Sequence, residues 1–419
     1  MQGMQHGMHP ARTQRWSMTA AALLGLGILA VFLVHTVLPA AGRLSHGFMA
    51  YYVGAQVVRD GEPGTRLYDD PWFSARVRQE SGGSVSDVYL ANPPSLAVAW
   101  LPLAYLTVDA ARRVWIALST LCLALALWLV AEELGWSRQP WALVGLSALF
   151  TLPSPVREQF AFGQMYACLL LLNVAAWRAY LRHRDLLAGA ATGLALALKF
   201  SGWPIAVLML ARRRWTALCW VLLSGALIAA LSLPWVGLAA WHVVFFEEIP
   251  RVLRWGAATL PAYQDTTGLW QHLFRYDASF NPKPLLDAPL LATCLTLATA
   301  VAALLALIAR RRSASASFAA AVTLTELLSP AAEQYHYIVL LLPLAVLWQQ
   351  AWLCRNRWIG LCALTATILI GWPLGYKSVY PWWDLLHNYP RLIGGWIAFT
   401  GLCTLPTVPT STACAQSAR

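Results

Sequence analysis

Long apolar runs separated by short polar punctuation recur along almost the whole chain. The first, Met18 to Leu38, follows Arg12 and Arg15 and is about 20 residues long, enough to cross a bilayer core of about 30 Å. A cleavable signal would carry a shorter apolar region of about 7 to 15 residues before a small-residue site. Leu38-Pro39-Ala40-Ala41-Gly42 offers such a site, but the length of the run favours a retained helix with its amino terminus inside. A polar stretch, residues 41–94, then forms a first external loop, and Ser95 to Leu106 is too short to span and reads as an interfacial or half-helix. Val114 to Ala131 predicts an inward span, Trp141 to Leu152 an outward one, and Met165 to Leu181 an inward one ending at Arg182-His183-Arg184.

Leu186 to Ala211 is apolar but has basic residues at both ends and is interrupted at Lys199-Phe200-Ser201-Gly202-Trp203-Pro204. One continuous helix would put Arg182/Arg184 and Arg212-Arg213-Arg214 on opposite sides, against the positive-inside bias. A hairpin of two short helices broken at Gly202 and Pro204 keeps both clusters inside and sets Lys199 at its tip. Non-helical backbone at that depth requires burial in protein or a cavity to line. Trp215 to Val236 then runs outward to a second external loop, residues 237–284. Pro289 to Ala309, Phe318 to Pro330, Tyr337 to Trp352, Trp358 to Trp372 and Leu392 to Leu405 alternate after it, with an aromatic loop at Tyr376 to Tyr389. The count is about ten spans plus the hairpin, each close to the length a bilayer demands. They form one integral membrane domain over residues 1–408, with a short polar cytoplasmic tail at 409–419.

Composition agrees with this pattern. Of 419 residues, 58% are hydrophobic and only 12% charged, far from the roughly 25% charged of a soluble domain. The fold class is therefore an all-α polytopic membrane protein. A net charge of +11 could suggest nucleic acid, but Arg178/Arg182/Arg184, Arg212-Arg213-Arg214, Arg310-Arg311-Arg312 and Arg355/Arg357 sit between apolar runs, as cytoplasmic loops do. No nucleic-acid partner is expected. The eight Cys show no metal-ligand spacing and mostly lie within apolar runs, so they read as reduced packing residues. The two halves lack the matched broken helices of inverted-repeat transporters, which weakens a transporter reading.

Polar chemistry concentrates in the first external loop, which holds Asp60, Glu62, Asp69, Asp70, Glu80 and Asp87 among many aromatics. Ionisable residues in or beside apolar spans cost about 2.5 to 3.5 kcal/mol on insertion scales and are functional candidates by default. These are Glu158, Lys199, Glu326, Glu333 and His336. Lys199 at the hairpin break suits a lipid phosphate, although a lysine there can also snorkel to headgroups. Gln164 offers donors and an acceptor to a sugar hydroxyl, or glues helices. Glu158 can pair with its neighbour Arg157. His336 opens a span and can donate to a phosphate or exchange a proton. Asp69 and Asp70 are adjacent and fit a turn or helix cap as well as a ligand site. No metal and no cofactor is called for.

The order of motifs then becomes informative. Phe48-x-x-Tyr51-Tyr52-x-x-Ala55 is followed by Leu67-Tyr68, by Asn92-Pro93-Pro94 with Leu101-Pro102-Leu103, and by Gly163-Gln164. Gly189-x-x-x-Gly193 with Lys199, Ser329-Pro330 and His336-Tyr337 complete the series. From Arg43 to Gln350 this order resembles glycosyltransferase family 87, which includes polyprenyl-phosphate-mannose-dependent mannosyltransferases. The resemblance implies a GT-C type multi-span helical bundle with external-side helices. It also implies inverting transfer of a hexose, mannose foremost, from a polyprenyl-phosphate sugar to a lipid-linked or cell-envelope glycan acceptor. The enzyme would sit in the plasma membrane, its active site facing outside, with membrane lipid as a further partner.

In such a site Lys199, Gln164, His336, Asp69, Asp70, Tyr51, Tyr52 and Asn92 would bind substrate. The family usually presents an Asp just before the Phe-x-x-Tyr-Tyr-like run, the natural base, and here that place is Gly47, preceded by His46. Its paired His in the late motif is also altered, with Tyr335 before His336. The base would then be Asp87, with His46, Asp69 or Asp70 as alternatives and Glu158 in reserve. A homologue that no longer transfers sugar but binds or moves a lipid is the competing reading.

Overall fold

The structure, a computed structural model, describes residues 10–90, 92–309, 312–373 and 382–405. Arg310, Arg311, residues 376–381 of the Tyr376 to Tyr389 loop and the 409–419 tail lie outside them. Among the described residues the chain is helical throughout, with no strands and only two isolated bridges, Tyr263 to Glu333 and Asp277 to Asn281.

Among the described residues five helices are long and apolar enough to cross a membrane: Trp16–Ala41, Val108–Glu133, Trp215–Leu253, Pro289–Ala309 and Gln334–Cys354. Several turn large apolar side chains outward, among them Leu23, Leu26, Leu222, Leu238, Leu290 and Leu297. Contiguous exposed leucine of this kind is stable only where the surrounding solvent is itself apolar. The protein is an integral, all-α polytopic membrane protein.

The expectation that every span would match the bilayer does not hold. Pro140–Thr151, Tyr166–Leu181, Ala314–Leu327 and Arg357–Gly371 are apolar but shorter. The physical reason is visible in Ala314–Leu327, where every residue from Ala316 to Leu327 is buried. A helix wrapped by protein need not match lipid thickness, and its ends can stop inside the bundle to serve a polar cavity.

The expected hairpin is present as Asp185–Lys199 and Trp203–Ala211. Phe200 (φ 51°) and Gly202 (φ 96°) turn the chain in left-handed conformations, and Pro204 sits in the first turn of the second arm. Arg214 pairs with Asp185, closing the base of the hairpin. Gly189 and Gly193 lie flat against the Trp215–Val243 helix, where any Cβ would strike the carbonyls of Ala217 and Val221. The two glycines therefore set how closely these helices approach.

Short helices cap one end of the bundle. Ser95 to Leu106 is two of them, Pro94–Ala99 and Leu101–Ala104, and Phe48–Arg59, Asp70–Glu80, Ser154–Phe162 and Thr266–Phe274 join it. The first loop is tied to the second by an ion pair between Asp70 and Arg251. The second loop is tied to the segment before Gln334–Cys354 by the Gln264 N–H, which donates to the Ala332 carbonyl at 2.7 Å. The Cys122 and Cys168 sulfurs are in contact at 3.5 Å. A hollow of about 1230 Å³ lies between Pro140–Thr151 and the helices after Leu341, and no carboxylate lines it.

Candidate active site

The site begins where the Phe48–Arg59 helix begins. Gly47 precedes that helix with φ 76°, and its own N–H donates to Asp87 Oδ2 at 2.6 Å. Asp87 Oδ1 accepts from the Val88 N–H at 3.0 Å, and His46 Nδ1 stands 4.0 Å from it on an exposed ring. Burial pushes the Asp87 carboxyl above the ordinary aspartate range, with the Gly47 N–H and then His46 opposing the rise. A side chain at position 47 has no room. Its Cβ would collide with the Gln164 amide, lie 3.1 Å from the Phe162 carbonyl, and need the left-handed conformation that favours glycine. Asp87, from a different part of the loop, places its carboxylate at the start of this helix.

Gln164 is the hub beside it. The Tyr51 hydroxyl donates to Gln164 Oε1, Gln164 Nε2 donates to the Tyr335 hydroxyl at 3.1 Å, and Tyr335 donates to Glu333 Oε1 at 2.9 Å. Gln164 is held in place by Gln159, whose amide donates to the Gln164 carbonyl while its Oε1 accepts from the Tyr166 N–H at 3.1 Å. The Ser154–Phe162 helix ends at Gly163 in the left-handed region (φ 63°), so that the next residue can turn inward. Buried Arg112 locks that turn by donating to the carbonyls of Ala40, Phe160 and Ala161.

Lys199 reaches the same region from the hairpin tip. Its Nζ donates to Asn92 Oδ1 at 2.7 Å and lies over the rings of Tyr51 and Tyr166, 5.1 and 5.4 Å from their centroids. Asn92 is fixed by its amide donating to the Tyr89 carbonyl at 2.5 Å and by the Tyr68 hydroxyl, which donates to the Asn92 carbonyl at 2.8 Å. The ammonium is in electrostatic reach of Glu333, Asp87 and Glu326. Tyr166 stacks on His336 at 4.0 Å between ring centroids, and His336 Nδ1 is 3.5 Å from Glu326 Oε2. A cation, a hydrogen-bonding amide, two aromatic faces and a set of carboxylates thus meet at the end of the hairpin. Among the described residues no three His, Cys, Asp or Glu are grouped so as to hold a metal ion.

The family model of glycosyltransferase family 87 matches residues 89–330, more than half of the chain. The chain belongs to glycosyltransferase family 87. It is 30% identical over 162 residues to an alpha-(1->3)-arabinofuranosyltransferase of Mycolicibacterium smegmatis, covering 38% of this chain and 36% of that one. It is 27% identical over 235 residues to a polyprenol-phosphate-mannose-dependent alpha-(1-2)-phosphatidylinositol mannoside mannosyltransferase of the same organism, covering 52% of this chain and 50% of that one. The chain thus matches half or less of the length of these curated relatives. No solved structure matches it.

Within this family 87 chain the remaining sequence candidates serve other contacts. Tyr52 turns away from Tyr51 and donates to the Leu106 carbonyl at 2.8 Å, stacking on Phe48. Asp69 caps the Asp70–Glu80 helix and pairs with Arg66, and Asp70 holds Arg251. Glu158 does not pair with Arg157; its partner is Arg391, fully buried, at 2.9 Å. Arg391 also donates to Ser154 Oγ at 2.7 Å and to the Trp372 carbonyl at 3.1 Å, so the pair clamps the Ser154–Phe162 helix to the last helices. Arg112, Tyr166 and Arg391 are the positions that sequence reasoning passed over. Arg112 and Arg391 did carry a signal, an arginine at the edge of an apolar run, but it is the same signal that loop arginines give.

Proposed function

We propose that the protein is a membrane hexosyltransferase, mannose being the favoured sugar. It moves the sugar from a polyprenyl-phosphate donor to a lipid-linked or cell-envelope glycan acceptor at the outer face of the cytoplasmic membrane. The observation that carries this reading is Lys199, an ammonium held by Asn92 between two tyrosine faces beside buried carboxylates. A lipid-borne phosphate is the chemistry that such a cation serves at a membrane-buried hairpin tip. The mannosyltransferase among the curated relatives is named for a polyprenol-phosphate-mannose donor, which supports the same choice.

In this mechanism Asp87 accepts the proton of the acceptor hydroxyl as that oxygen attacks the anomeric carbon from the face opposite the phosphate. The bond from the anomeric carbon to the phosphate oxygen breaks, and the polyprenyl phosphate departs with the electron pair. Lys199, with His336 next along the Tyr166 ring, stabilises the phosphate's growing charge. Tyr51 and Tyr166 wall the sugar and lipid phosphate, and Gln164 exchanges a tyrosine partner for a sugar hydroxyl. The charge of Glu158 is engaged by Arg391, so Asp87 is the better base, with exposed His46 positioned to pass the proton to water. Asp69 and Asp70 act on substrate only through the loop they brace.

The decisive experiment is Lys199→Met with steady-state kinetics on both substrates. The donor KM should rise about ten- to a hundred-fold, the worth of one to two charge-assisted hydrogen bonds, with the acceptor KM within about two-fold. Equal effects on both substrates would remove Lys199 from the donor phosphate and the reading with it.

A further inference from the structure

Glu326 is the least expected charged residue in the bundle. It stands one residue from the end of the Ala314–Leu327 helix, is 1% exposed, and its Oε1 has no hydrogen-bond partner. An isolated carboxylate in a membrane helix is costly enough that its partner should be sought. That partner is His336, whose Nδ1 lies 3.5 Å from Glu326 Oε2 and is likewise buried with no hydrogen bond of its own. The imidazole cannot swing freely, because it is stacked on Tyr166 at 4.0 Å and packed against Tyr335 at 4.9 Å. The same Tyr166 ring also lies 5.4 Å from Lys199 Nζ. The charged and titratable groups around the pair are Lys199 from the hairpin, Glu333 and Tyr335 from the same segment as His336, and Tyr166 from the helix opposite.

We propose that Glu326 is a positioning residue: it accepts the Nδ1–H of His336 and so, once the anionic phosphate of the lipid donor is bound and the ring takes up a proton, presents the Nε2–H, beside Lys199, to that phosphate. A ring whose one nitrogen is held by a carboxylate has its orientation and protonation fixed at the other. The separation of 3.5 Å is loose for a hydrogen bond, as such contacts often are before substrate closes the site. The inference rests on the donor reading above, but is tested by binding, so it does not depend on sugar transfer occurring.

If Glu326 were only a nearby negative charge, removing it would tighten an anionic ligand. If it positions His336, removing it loosens the same ligand. The probe is farnesyl phosphate, with farnesol as the uncharged control, titrated into the purified full chain in detergent and read by tryptophan fluorescence. Glu326→Gln and His336→Gln should each weaken farnesyl phosphate about ten-fold, the worth of one charge-assisted hydrogen bond, and leave farnesol unchanged. Glu326→Asp keeps the charge and should stay within about three-fold of wild type. The double variant should bind no more weakly than His336→Gln alone, because the two residues act as one unit. Tighter or unchanged binding by Glu326→Gln, or additive losses of about a hundred-fold, would overturn the proposal. A wild-type protein that does not prefer farnesyl phosphate to farnesol would instead overturn the donor reading, and this proposal with it.

Discussion

Replacing Asp87 with Asn tests the proposed chemistry most directly, because the change removes the base while sparing the fold. The introduced amide keeps an oxygen to accept the Gly47 N–H, now 2.6 Å from Asp87 Oδ2, but its nitrogen cannot accept from the Val88 N–H, so the loop loses that bond and the extra strength of a bond to an anion, about 1 to 3 kcal/mol in all. The catalytic loss is larger. A positioned general base contributes about 10²- to 10⁴-fold, so kcat should fall by that factor, equivalent to about 3 to 5 kcal/mol of barrier. The wild-type pH profile supplies a second readout. Burial raises the Asp87 carboxyl, so the ionised base is present above the raised value and is lost as pH falls through it. The acid limb of kcat/KM should therefore lie above the ordinary aspartate range of about 4, and should be absent from the residual activity of the Asn variant. The assay is initial-rate transfer from a polyprenyl-phosphate sugar in membranes, with protein amount normalised. Full activity in Asp87→Asn, or an acid limb at the ordinary aspartate value, would refute the assignment.

Gly47→Ala should be far more damaging than its size suggests. The left-handed backbone and the collision with the Gln164 amide predict a loss of roughly 2 to 4 kcal/mol, read as a lower thermal midpoint in detergent. Asp265, fully buried in the second loop, accepts from the N–H groups of Gly268 and Ala332 and has its carboxyl pushed up to about 7 by burial. The folded state then holds that proton more tightly than the unfolded chain. Its contribution to stability is greatest below about pH 4, falls as pH rises, and levels off above about 7, a span of roughly 4 kcal/mol. Thermal midpoints compared across pH 5 to 8 should show this slope in wild type and a flatter one in Asp265→Asn. Ser84→Cys, in an exposed turn of the first loop, should be labelled from outside intact cells by an impermeant maleimide, and labelling from the cytoplasm alone would invert the proposed topology.

The all-α membrane class and the hairpin were legible because their causes are local. Lipid-length apolar runs, basic punctuation and the Gly202-Trp203-Pro204 break each act within a few residues of where they stand. Lys199, Gln164, Asn92 and Tyr51 were also legible as candidates, and the structure brings all four together. What the sequence could not yield was pairing across the chain. Glu158 has Arg157 beside it and Arg391 far along the chain, and the buried guanidinium takes it. Tyr51 and Tyr52 are indistinguishable as neighbours, yet successive helix positions point about 100° apart, so one meets Gln164 and the other Leu106. Asp87 and Gly47 are 40 residues apart, and only the folded loop puts the carboxylate of one on the amide of the other.

The second loop belongs to the site although none of its side chains approaches Lys199. Asp265 Oδ2 accepts from the Ala332 N–H at 3.0 Å, the Gln264 N–H donates to the Ala332 carbonyl while the Gln264 carbonyl accepts from the Tyr337 hydroxyl, and Tyr263 bridges Glu333. These contacts bracket Tyr335 and His336 on both sides in the chain. Gln264 Nε2 also donates to the Asn388 carbonyl at 2.7 Å, and its Oε1 accepts from the N–H of Arg391, the residue that holds Glu158. The segment that bears His336 is therefore suspended between the second loop and the last helices. Each of these bonds is modest alone, about 0.5 to 1.5 kcal/mol, but they share one short stretch of backbone and must form or break together. Loosening the second loop should thus displace His336 from Tyr166 before it disturbs Lys199, whose anchors are Asn92 and the hairpin. A variant that frees the second loop is expected to cost phosphate stabilisation through His336 while the ammonium stays in position.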